Sequence, residues 1–387
     1  MYHKNMIVKR LLEKSLLKAI KNNPVLFVAG PRQSGKTTLV KNIFKNYLYK
    51  NLEDPETRLF AYSDPKNFLN QSPKLIIDEI QKVPELLSYI QSFVDEDRKK
   101  RFVVTGSQNI LISQKISQSL AGRVSIFNLL PFSLEELKKV NLYKKDLYEQ
   151  IFFGFYPRLY DRNLDPLEWY PNYIQTYLER DVREIKNIAN LIDFQRFLKL
   201  CAGRVGQILD FSSLANDVGV SVNTIKGWLS VLETTFIIYR LPPFYKNFNK
   251  RIIKSPKLYF YDTGLVCSLL GIKNKDQLKT HPLFGSIFET FCISEIVKQN
   301  HHLNLNLEFY YFRNKSGNEI DLIYEKNNQI YAFEIKSSST FSLDFIKNLN
   351  YLEKISVDKI NKIVIYTGLN NNRFKDVLIQ SWMNIEL

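Results

Sequence analysis

The chain has little cysteine, glycine or proline for its 387 residues. Its three cysteines, Cys201, Cys267 and Cys292, are far apart and odd in number. This argues against a disulfide framework and against a zinc site, and it fits a reducing compartment. Glycine and proline number 14 each, so long disordered linkers rich in these residues are not expected.

Long hydrophobic runs are also absent. No apolar run approaches the roughly 18 residues that a membrane-spanning helix needs. Charges at positions 4, 9, 10, 14 and 18 interrupt the first twenty residues, so these residues fit an amphipathic helix better than a signal peptide. We therefore expect a cytoplasmic protein without a membrane partner.

Positive charge is abundant. The formal net charge is +15, and residues 1–140 carry +10 of it whereas residues 271–387 carry +1. A basic surface attracts polyanions, which makes nucleic acid, DNA more than RNA, a candidate partner. The alternative is a lysine- and asparagine-rich composition with no special partner.

A phosphate-binding pattern lies near the start of the chain. An apolar, strand-like run is followed by GPRQSGKT and then by a helical pattern, which matches GxxxxGK(S/T) in its strand–loop–helix context. Glycines let the backbone amides face phosphates, Lys36 can reach the β- and γ-phosphates, and Thr37 can bind Mg²⁺. The sequence thus predicts ATP and Mg²⁺ as cofactors. The predicted nucleotide-binding residues are Gly30, Pro31, Arg32, Gln33, Ser34, Gly35, Lys36, Thr37 and Thr38.

Two adjacent acids follow the next apolar strand. The segment PKLIIDEIQ predicts a buried strand that ends at Asp78 and Glu79. An acid at this position can hold the Mg²⁺ ion with Thr37. The second acid can orient or deprotonate the attacking water, so we predict a catalytic role for Glu79. A surface Asp-Glu pair is the alternative.

Two further polar residues are candidates for contact with the nucleotide. The segment RFVVTGSQ predicts another buried strand, after which Ser107 could contact the γ-phosphate or belong to an ordinary turn. Arg123 lies between a predicted helix and a predicted strand. It is a candidate arginine finger, in cis or from a neighbouring subunit of a homo-oligomer, and an exposed arginine in a turn is the alternative.

The middle of the chain has helical periodicity and a helix–turn–helix pattern. The pattern predicts a helix capped by Ser212 or Ser213, a break at Gly219, and a second helix capped by Ser221 with the strand FIIYRL behind it. In helix–turn–helix proteins that bind DNA, the start of the second helix contacts the edges of the bases. The exposed candidates for that contact are Asn223, Thr224 and Lys226.

Charged residues flank this pattern on both sides. YLERDV, with Arg180, Asp181 and Arg183, fits a solvated helix face better than a nucleotide sensor. The segment PFYKNFNKRIIKSPKLYFYD interleaves basic with aromatic residues, which suits phosphate contact and base stacking. The alternative is that this segment is the wing of a winged-helix domain and packs against the predicted ATP-binding core. The basic residues are Lys246, Lys250, Arg251, Lys254 and Lys257.

The last third contains an acidic hairpin. If Asn327 and Asn328 form the turn in GNEIDLIYEKNNQIYAFEIKSS, facing positions sum to 655. Asp321 then faces Glu334, and Glu319 faces Lys336. Facing like charges destabilise a strand pair, so this register calls for a compensating partner.

The acids of the hairpin and Glu289, on a preceding helix, resemble the pattern of the PD-(D/E)xK nuclease-like fold. Two facing carboxylates are tolerable if a divalent cation lies between them. The predicted metal ligands are Asp321, Glu334 and Glu289, and Lys336 would activate water or stabilise the pentavalent phosphate. The alternative is a Glu319–Lys336 salt bridge with no metal.

A wider resemblance covers nearly the whole chain. The segments GPRQSGKTTL, LIIDEIQ, VVTGSQ, YLERDV and KSPKLYFYDTGL resemble a bacterial and archaeal family of AAA+-class ATPases. In that family an ATPase core precedes a C-terminal region of unknown function. The resemblance implies ATP binding and hydrolysis at Gly30–Thr37, Asp78 and Glu79, but no biological task.

The predicted fold class is α/β with four parts. They are a parallel-sheet P-loop core of AAA+ type (1–140), a helical lid or connector (141–193), a winged-helix-like domain (194–270) and an α/β restriction-endonuclease-like domain (271–387). The predicted function is a Mg²⁺-dependent ATPase coupled to nucleic-acid-associated domains, with a possible metal-dependent nuclease. The alternative is an ATP-controlled switch that binds DNA or protein through an inactive nuclease-like domain.

Overall fold

The computed structural model describes residues 8–106, 118–178, 191–244 and 255–387. By its internal contacts the chain divides into two compact units. The first unit comprises Met1–Phe132 with the short segments Thr234–Phe236 and His301–Asn304. The second unit comprises Ser133–Glu233, Ile237–Asn300 and Leu305–Leu387.

The first unit is built on a five-stranded parallel sheet with the order β2-β3-β4-β1-β5. Every residue of β1, which lies between β4 and β5, is buried, as expected for a parallel strand covered on both faces. The predicted parallel core is confirmed. The strands are β1 Val25–Ala29, β2 Leu48–Asn51, β3 Lys74–Asp78, β4 Arg101–Gly106 and β5 Val124–Asn128.

Helices of the first unit pack their apolar stripes against this sheet. Leu16 of the first helix and Leu39 and Val40 of the second join Leu26 and Val28 of the sheet in one core. The second helix starts at Lys36, directly after the predicted phosphate loop. The helices are α1 Glu13–Asn22, α2 Lys36–Ile43, α3 Pro55–Ser63, α4 Pro65–Asn70 and α5 Leu86–Glu96, with a 3₁₀ turn at Ile80–Lys82.

The second unit begins with helices and a small antiparallel ribbon. The ribbon consists of β6 Ile238–Leu241 paired with β7 Lys257–Phe260. A π-helical turn, Ile174–Leu178, follows α9. The helices are α6 Leu134–Lys139, α7 Leu147–Phe153, α8 Pro157–Asp161, α9 Pro166–Tyr173, α10 Leu191–Gly203, α11 Phe211–Val218, α12 Val222–Thr234, α13 Thr263–Leu269 and α14 Lys275–Lys279.

The helix–turn–helix pattern forms at α11 and α12. Gly219 ends α11 in a left-handed conformation, with φ of 86°, and Ser221 accepts a hydrogen bond from the Thr224 amide at 3.1 Å, as predicted. The predicted cap of α11 is wrong: the side chain of Asp210 accepts from the amides of Ser212 and Ser213. A carboxylate just before the helix is the better acceptor for these donors.

The rest of the second unit is a six-stranded mixed sheet with the order β12-β13-β11-β10-β9-β8 and two helices. Strands β9 and β10 pair with facing positions that sum to 655, from Lys326–Gln329 to Leu322–Phe333, so the predicted register is confirmed. The elements are α15 Phe284–Leu303, β8 Phe309–Arg313, β9 Glu319–Lys326, β10 Gln329–Lys336, α16 Lys347–Ile355, β11 Ile360–Tyr366, β12 Asn372–Phe374 and β13 Val377–Ser381.

None of the helices in the described ranges combines the length and the apolar character that a bilayer crossing requires.

Candidate nucleotide site and a buried charged cluster

The phosphate-loop backbone adopts a conformation that its glycines permit. A side chain at Gly30 would overlap the carbonyl oxygen of Leu129. Gly35, the residue before α2, has a φ of 92°, a value that favours glycine. The loop therefore curls tightly and leads into the N-terminus of α2, the arrangement that presents backbone amides to an anion.

Lys36 lies inside this loop and is only 5% exposed. Its ammonium donates to the carbonyl oxygens of Gly30 at 3.0 Å and Pro31 at 2.9 Å. Within the described part of the chain, the buried hydroxyl oxygen of Ser34 has no hydrogen-bond partner. A confined ammonium and an unsatisfied hydroxyl in one loop fit a phosphate ligand.

Thr37 and Asp78 form the oxygen pair that was predicted to hold Mg²⁺. The Thr37 hydroxyl donates to Asp78 Oδ2 at 2.7 Å. Asp78 is 2% exposed and also accepts hydrogen bonds from Tyr49, at 2.8 Å, and from Thr105. Among the described residues these donors are neutral hydroxyls, which orient the carboxylate without neutralising it, so the pair fits a hard cation such as Mg²⁺.

Tyr49 and Thr105 were not predicted from the sequence. Tyr49 lies on β2 and Thr105 on β4, the two strands that flank β3. The signal that could have found them is general: parallel strands end at one edge of a sheet, so polar residues near those ends meet. Burial, with the nearby Asp78 charge, raises the pKa of Tyr49 well above its usual range.

Glu79 has an unusual backbone conformation, with a φ of 61°. Its carboxylate accepts a hydrogen bond from the side-chain amide of Gln81. A side chain at Gly106 would approach the Gln81 side-chain oxygen within 2.5 Å, so the glycine leaves space for this pair. Non-glycine residues with such φ values occur often at functional sites, and Gln81 is a site residue that sequence reasoning missed.

Arg10 is a second residue that sequence reasoning missed. It is 6% exposed, and its guanidinium donates to the carbonyl oxygens of Ser34 at 2.8 Å and Leu130 at 2.7 Å. It also lies 4.9 Å from the ring centroid of Phe132. This arginine therefore joins the phosphate loop to the segment that follows β5.

Arg123, the candidate finger, forms a two-pronged contact with Asp95. The two nitrogen–oxygen distances are 2.6 and 2.8 Å, and the arginine side chain is one-third exposed. The hydrogen bond from Arg123 lowers the pKa of Asp95. Its role as a finger stays a prediction. Ser107 lies outside the described residues, as do Arg180, Asp181, Arg183, Lys246, Lys250, Arg251 and Lys254.

Three family models match successive parts of the chain. Residues 22–138 match an AAA domain, residues 144–276 match a domain of unknown function (DUF8612), and residues 284–385 match another domain of unknown function (DUF4143). The AAA match covers the phosphate loop and the Asp78 strand just described.

The matches to similar proteins cover most of the chain. An uncharacterized protein of Mycobacterium tuberculosis is 31% identical over 344 residues, which is 87% of this chain and 76% of the mycobacterial one. The chain belongs to this family of AAA-type ATPases. A further family member, an uncharacterized protein of Methanocaldococcus jannaschii, is 24% identical over 92% of this chain and 85% of its own. Among solved structures, a Walker-type ATPase of Pyrococcus abyssi matches 68% of this chain and 96% of its own at 16% identity, with a TM-score of 0.46.

The acids of the second unit surround a buried lysine. The Lys257 ammonium lies 2.9 Å from Glu289, 2.5 Å from Glu319 and 3.9 Å from Asp321, and its side chain is 3% exposed. The prediction that Lys257 contacts nucleic-acid phosphates is therefore wrong for this residue. As part of β7, Lys257 faces inward, and its charge is taken up by the three carboxylates.

The hairpin acids are each paired locally. Lys336 contacts Glu334 at 2.6 Å, whereas Glu319 contacts Arg313 at 3.1 Å as well as Lys257. The Glu319–Lys336 bridge, which was the alternative to a metal site, is thus replaced by these pairs. Asp321 Oδ2 accepts the Ile335 amide at 2.7 Å.

Burial changes the protonation of this cluster. It raises the pKa of Glu289 to about 7 and that of Glu334 to about 8. Burial alone would lower the pKa of Lys257, but the charges of Glu289, Asp321 and Glu319 raise it above its usual range. The lysine therefore stays charged.

The predicted metal ligands do not fit a divalent cation as they stand. Glu289 and Asp321 lie together, as expected, but the cation they share is an ammonium. Across residues 8–106, 118–178, 191–244 and 255–387, no group of three or more histidine, cysteine or acidic side chains has the arrangement to hold a metal ion. We therefore derive no metal-dependent step from Glu289, Asp321, Glu334 or Lys336.

Proposed function

We propose that the chain is a Mg²⁺-dependent ATPase whose site is the phosphate loop with Asp78 and Glu79. The observation that carries this proposal is the Thr37–Asp78 oxygen pair, which lies at the strand edge directly behind the loop that holds Lys36. Lys36 would bind the β- and γ-phosphates, and Thr37 and Asp78 would hold the ion, which neutralises charge on the phosphates when bound.

Glu79 would orient or deprotonate the water that attacks the γ-phosphate. The hydrogen bond from Gln81 fixes the orientation of this carboxylate. Arg10 would act as a positioning residue, because it holds the Ser34 carbonyl oxygen and with it the loop backbone. Arg123 would supply positive charge to the γ-phosphate of its own or of a neighbouring subunit after leaving Asp95.

A steady-state assay of ATP turnover tests this site. Lys36→Ala should lower turnover by about 100- to 1,000-fold, since it removes a charge aimed at the transferred group. Lys45→Ala, at an exposed position just beyond α2, is the matched control and should turn over at the wild-type rate. Normal turnover by Lys36→Ala would remove the proposal.

We assign the second unit a binding role rather than a cleaving one. The chain would then be an ATP-controlled switch that holds nucleic acid or protein, with a nuclease-like sheet that has no catalytic metal. The observation in favour is the Lys257 ammonium among Glu289, Glu319 and Asp321. This ammonium contacts Glu289 and lies 3.9 Å from Asp321, two of the three acids that were predicted to bind the metal.

A nicking assay separates binding from cleavage. Supercoiled DNA and a single-stranded RNA are incubated with Mg²⁺ or Mn²⁺ and either wild type or Asp321→Ala. We expect the same negligible cutting from both. Cutting by wild type that Asp321→Ala abolishes would establish the nuclease and end the binding-only proposal.

The helix–turn–helix segment, α11 and α12, is the proposed nucleic-acid contact. Asn223 and Lys226 are exposed at the start of α12, the position from which such helices meet base edges. In a salt-dependent gel shift with duplex DNA, Lys226→Ala should bind more weakly than wild type. Lys199→Ala, exposed on α10, is the control. No shift at low salt would favour a protein partner instead.

A further inference from the structure

We propose that Lys257 is a built-in cation that takes the place of a divalent metal among the buried and half-buried acids around it in the second unit, and that removing its charge turns them into a metal site. These acids, Glu289, Glu319, Asp321 and Glu334, form the acidic cluster. The inference rests on the binding role proposed for the second unit and names the device that keeps the acidic cluster free of metal.

The contacts of the ammonium resemble those of a bound ion. Two carboxylates, Glu289 and Glu319, lie within 3 Å of it, and Asp321 is 3.9 Å away. Tyr259 donates to the same Glu289 oxygen, Oε1, at 2.5 Å. The Glu289 and Glu319 carboxylates are thus already turned toward a positive charge.

The charge of the surroundings leaves no room for a second cation. Three cations, Lys257, Arg313 and Lys336, contact the four carboxylates of the acidic cluster. Fully ionised, the group carries one net negative charge, and protonation of Glu289 or Glu334 removes it, so a bound divalent ion would leave the group positive. Without the charge of Lys257 the group reaches two negative charges once its acids ionise, and these match a divalent ion.

The lysine is also held in place by its backbone. Lys257 pairs with Leu241 in the β6–β7 ribbon, and it forms a bridge with Ile208. A covalently attached ammonium does not dissociate into solution as a free ion does. A metal ion must therefore displace the buried Lys257 ammonium, which β7 keeps at the site. The displaced ammonium would stay desolvated without a partner, and this costs free energy.

Manganese alone is the probe, since Mn²⁺ takes oxygen ligands and is detected directly by electron paramagnetic resonance. The nucleotide-free full chain is titrated as wild type, Lys257→Met, Lys257→Arg and the double variant Lys257→Met with Asp321→Asn. We expect Lys257→Met to gain one site that binds Mn²⁺ at least about tenfold more tightly than wild type, worth about 1.4 kcal/mol. The double variant should lose the gain, and Lys257→Arg should show none.

Three outcomes would overturn the inference. The first is a Lys257→Met protein that folds but gains no site, and the second is a gain that Asp321→Asn leaves intact. The third needs no change at Lys257: if wild type loses Mn²⁺ binding on Asp321→Asn alone, the acidic cluster already holds metal. This last comparison decides the question even where Lys257→Met does not fold. Any site at Thr37 and Asp78 is common to all variants and cancels.

The proposed function is tested independently of the inference about Lys257. Nicking by wild type that depends on Asp321 would end the binding role. By contrast, a chain that does not nick, combined with a Lys257→Met protein that gains no Mn²⁺ site, would end only the inference about Lys257.

Discussion

Asp78 in the first unit and the acidic cluster of the second unit are sites that the same chemistry would suit, and their partners differ. Asp78 in the first unit accepts hydrogen bonds from the hydroxyls of Thr37, Tyr49 and Thr105. In the second unit, Glu289 and Asp321 face the ammonium of Lys257. Hydroxyls orient a carboxylate without using its charge, whereas an ammonium neutralises it. We therefore expect a metal ion at Asp78 and none at Glu289 and Asp321.

The two groups should also differ in the property that they control, which is the rate of ATP turnover for the first and the stability of the fold for the second. In the first unit, strain at Glu79, with its φ of 61°, and a confined Lys36 are arranged for a ligand. In the second unit, the ions satisfy one another and join β7 to α15 and β9. Substitutions in the first group should change turnover, and substitutions in the second should change folding.

The largest expected effect breaks the first group alone. Glu79→Gln should lower ATP turnover by about 100- to 10,000-fold, because the amide cannot accept a proton from the attacking water. Binding of ATP should persist, since the Lys36 loop is unchanged. The variant should therefore lose ATP turnover but still bind a fluorescent ATP analogue. Equal turnover in Glu79→Gln and wild type would show that Glu79 does not activate water.

Removing the buried ammonium should break the second group. Lys257→Met leaves the buried Asp321 and the half-buried Glu289 and Glu319 without their shared cation, which should lower the free energy of unfolding by about 3–5 kcal/mol. Urea denaturation monitored by tryptophan fluorescence measures this. Lys326→Met, exposed at the end of β9, should change it by less than about 0.5 kcal/mol. A loss of less than about 1 kcal/mol for Lys257→Met would contradict the role of the shared cation in stability.

The pH dependence of stability sharpens the comparison. The folded pKa of Glu334, about 8, lies above its ordinary value of 4.5, so the folded chain keeps a proton that the unfolded chain loses. The stability from this group is complete below pH 4.5 and is lost as the pH rises through about 8.

Glu334→Gln removes that proton exchange. From pH 5 to pH 8, the unfolding free energy of wild type should fall by about 1–3 kcal/mol relative to the variant, since one pKa unit corresponds to about 1.4 kcal/mol. Urea denaturation of both proteins at the two pH values is the measurement. Parallel pH profiles would show that Glu334 is not protonated in the folded chain.

The smallest expected effect concerns the exposed pair of the first unit. Arg123 and Asp95 are exposed, with one-third and nearly half of their side chains accessible, so solvent screens their attraction. Asp95→Asn should leave the urea midpoint nearly unchanged. If the urea midpoint of Asp95→Asn shifted as much as that of Lys257→Met, the different contributions of the two ion pairs to stability would not follow from their exposure.

Local patterns in the sequence were enough to predict the strand, loop and helix around Lys36 and the register of the hairpin. The phosphate loop is one contiguous segment, and Asn327 and Asn328 both adopt the positive φ that a tight hairpin turn requires. The partners that decide the chemistry lie far along the chain. Tyr49 is 29 residues from Asp78, and Lys257 is 32 residues from Glu289.

Lys257 was the hardest residue to predict. Its neighbours in the sequence are basic and aromatic, which is typical of a nucleic-acid surface. Its position depends on how the β6–β7 ribbon meets the acidic cluster, and no local pattern encodes that contact. The same holds for Arg10, whose partners Ser34 and Leu130 are 24 and 120 residues away.

Isothermal titration of the nucleotide-free chain with ATP and Mg²⁺ tests the central claim most directly. We expect one saturable site per chain in wild type, a site that weakens strongly in Lys36→Ala and is unchanged in Lys45→Ala. Wild-type protein that releases or absorbs no heat with ATP and Mg²⁺, and that also fails to retain a fluorescent ATP analogue, would contradict it.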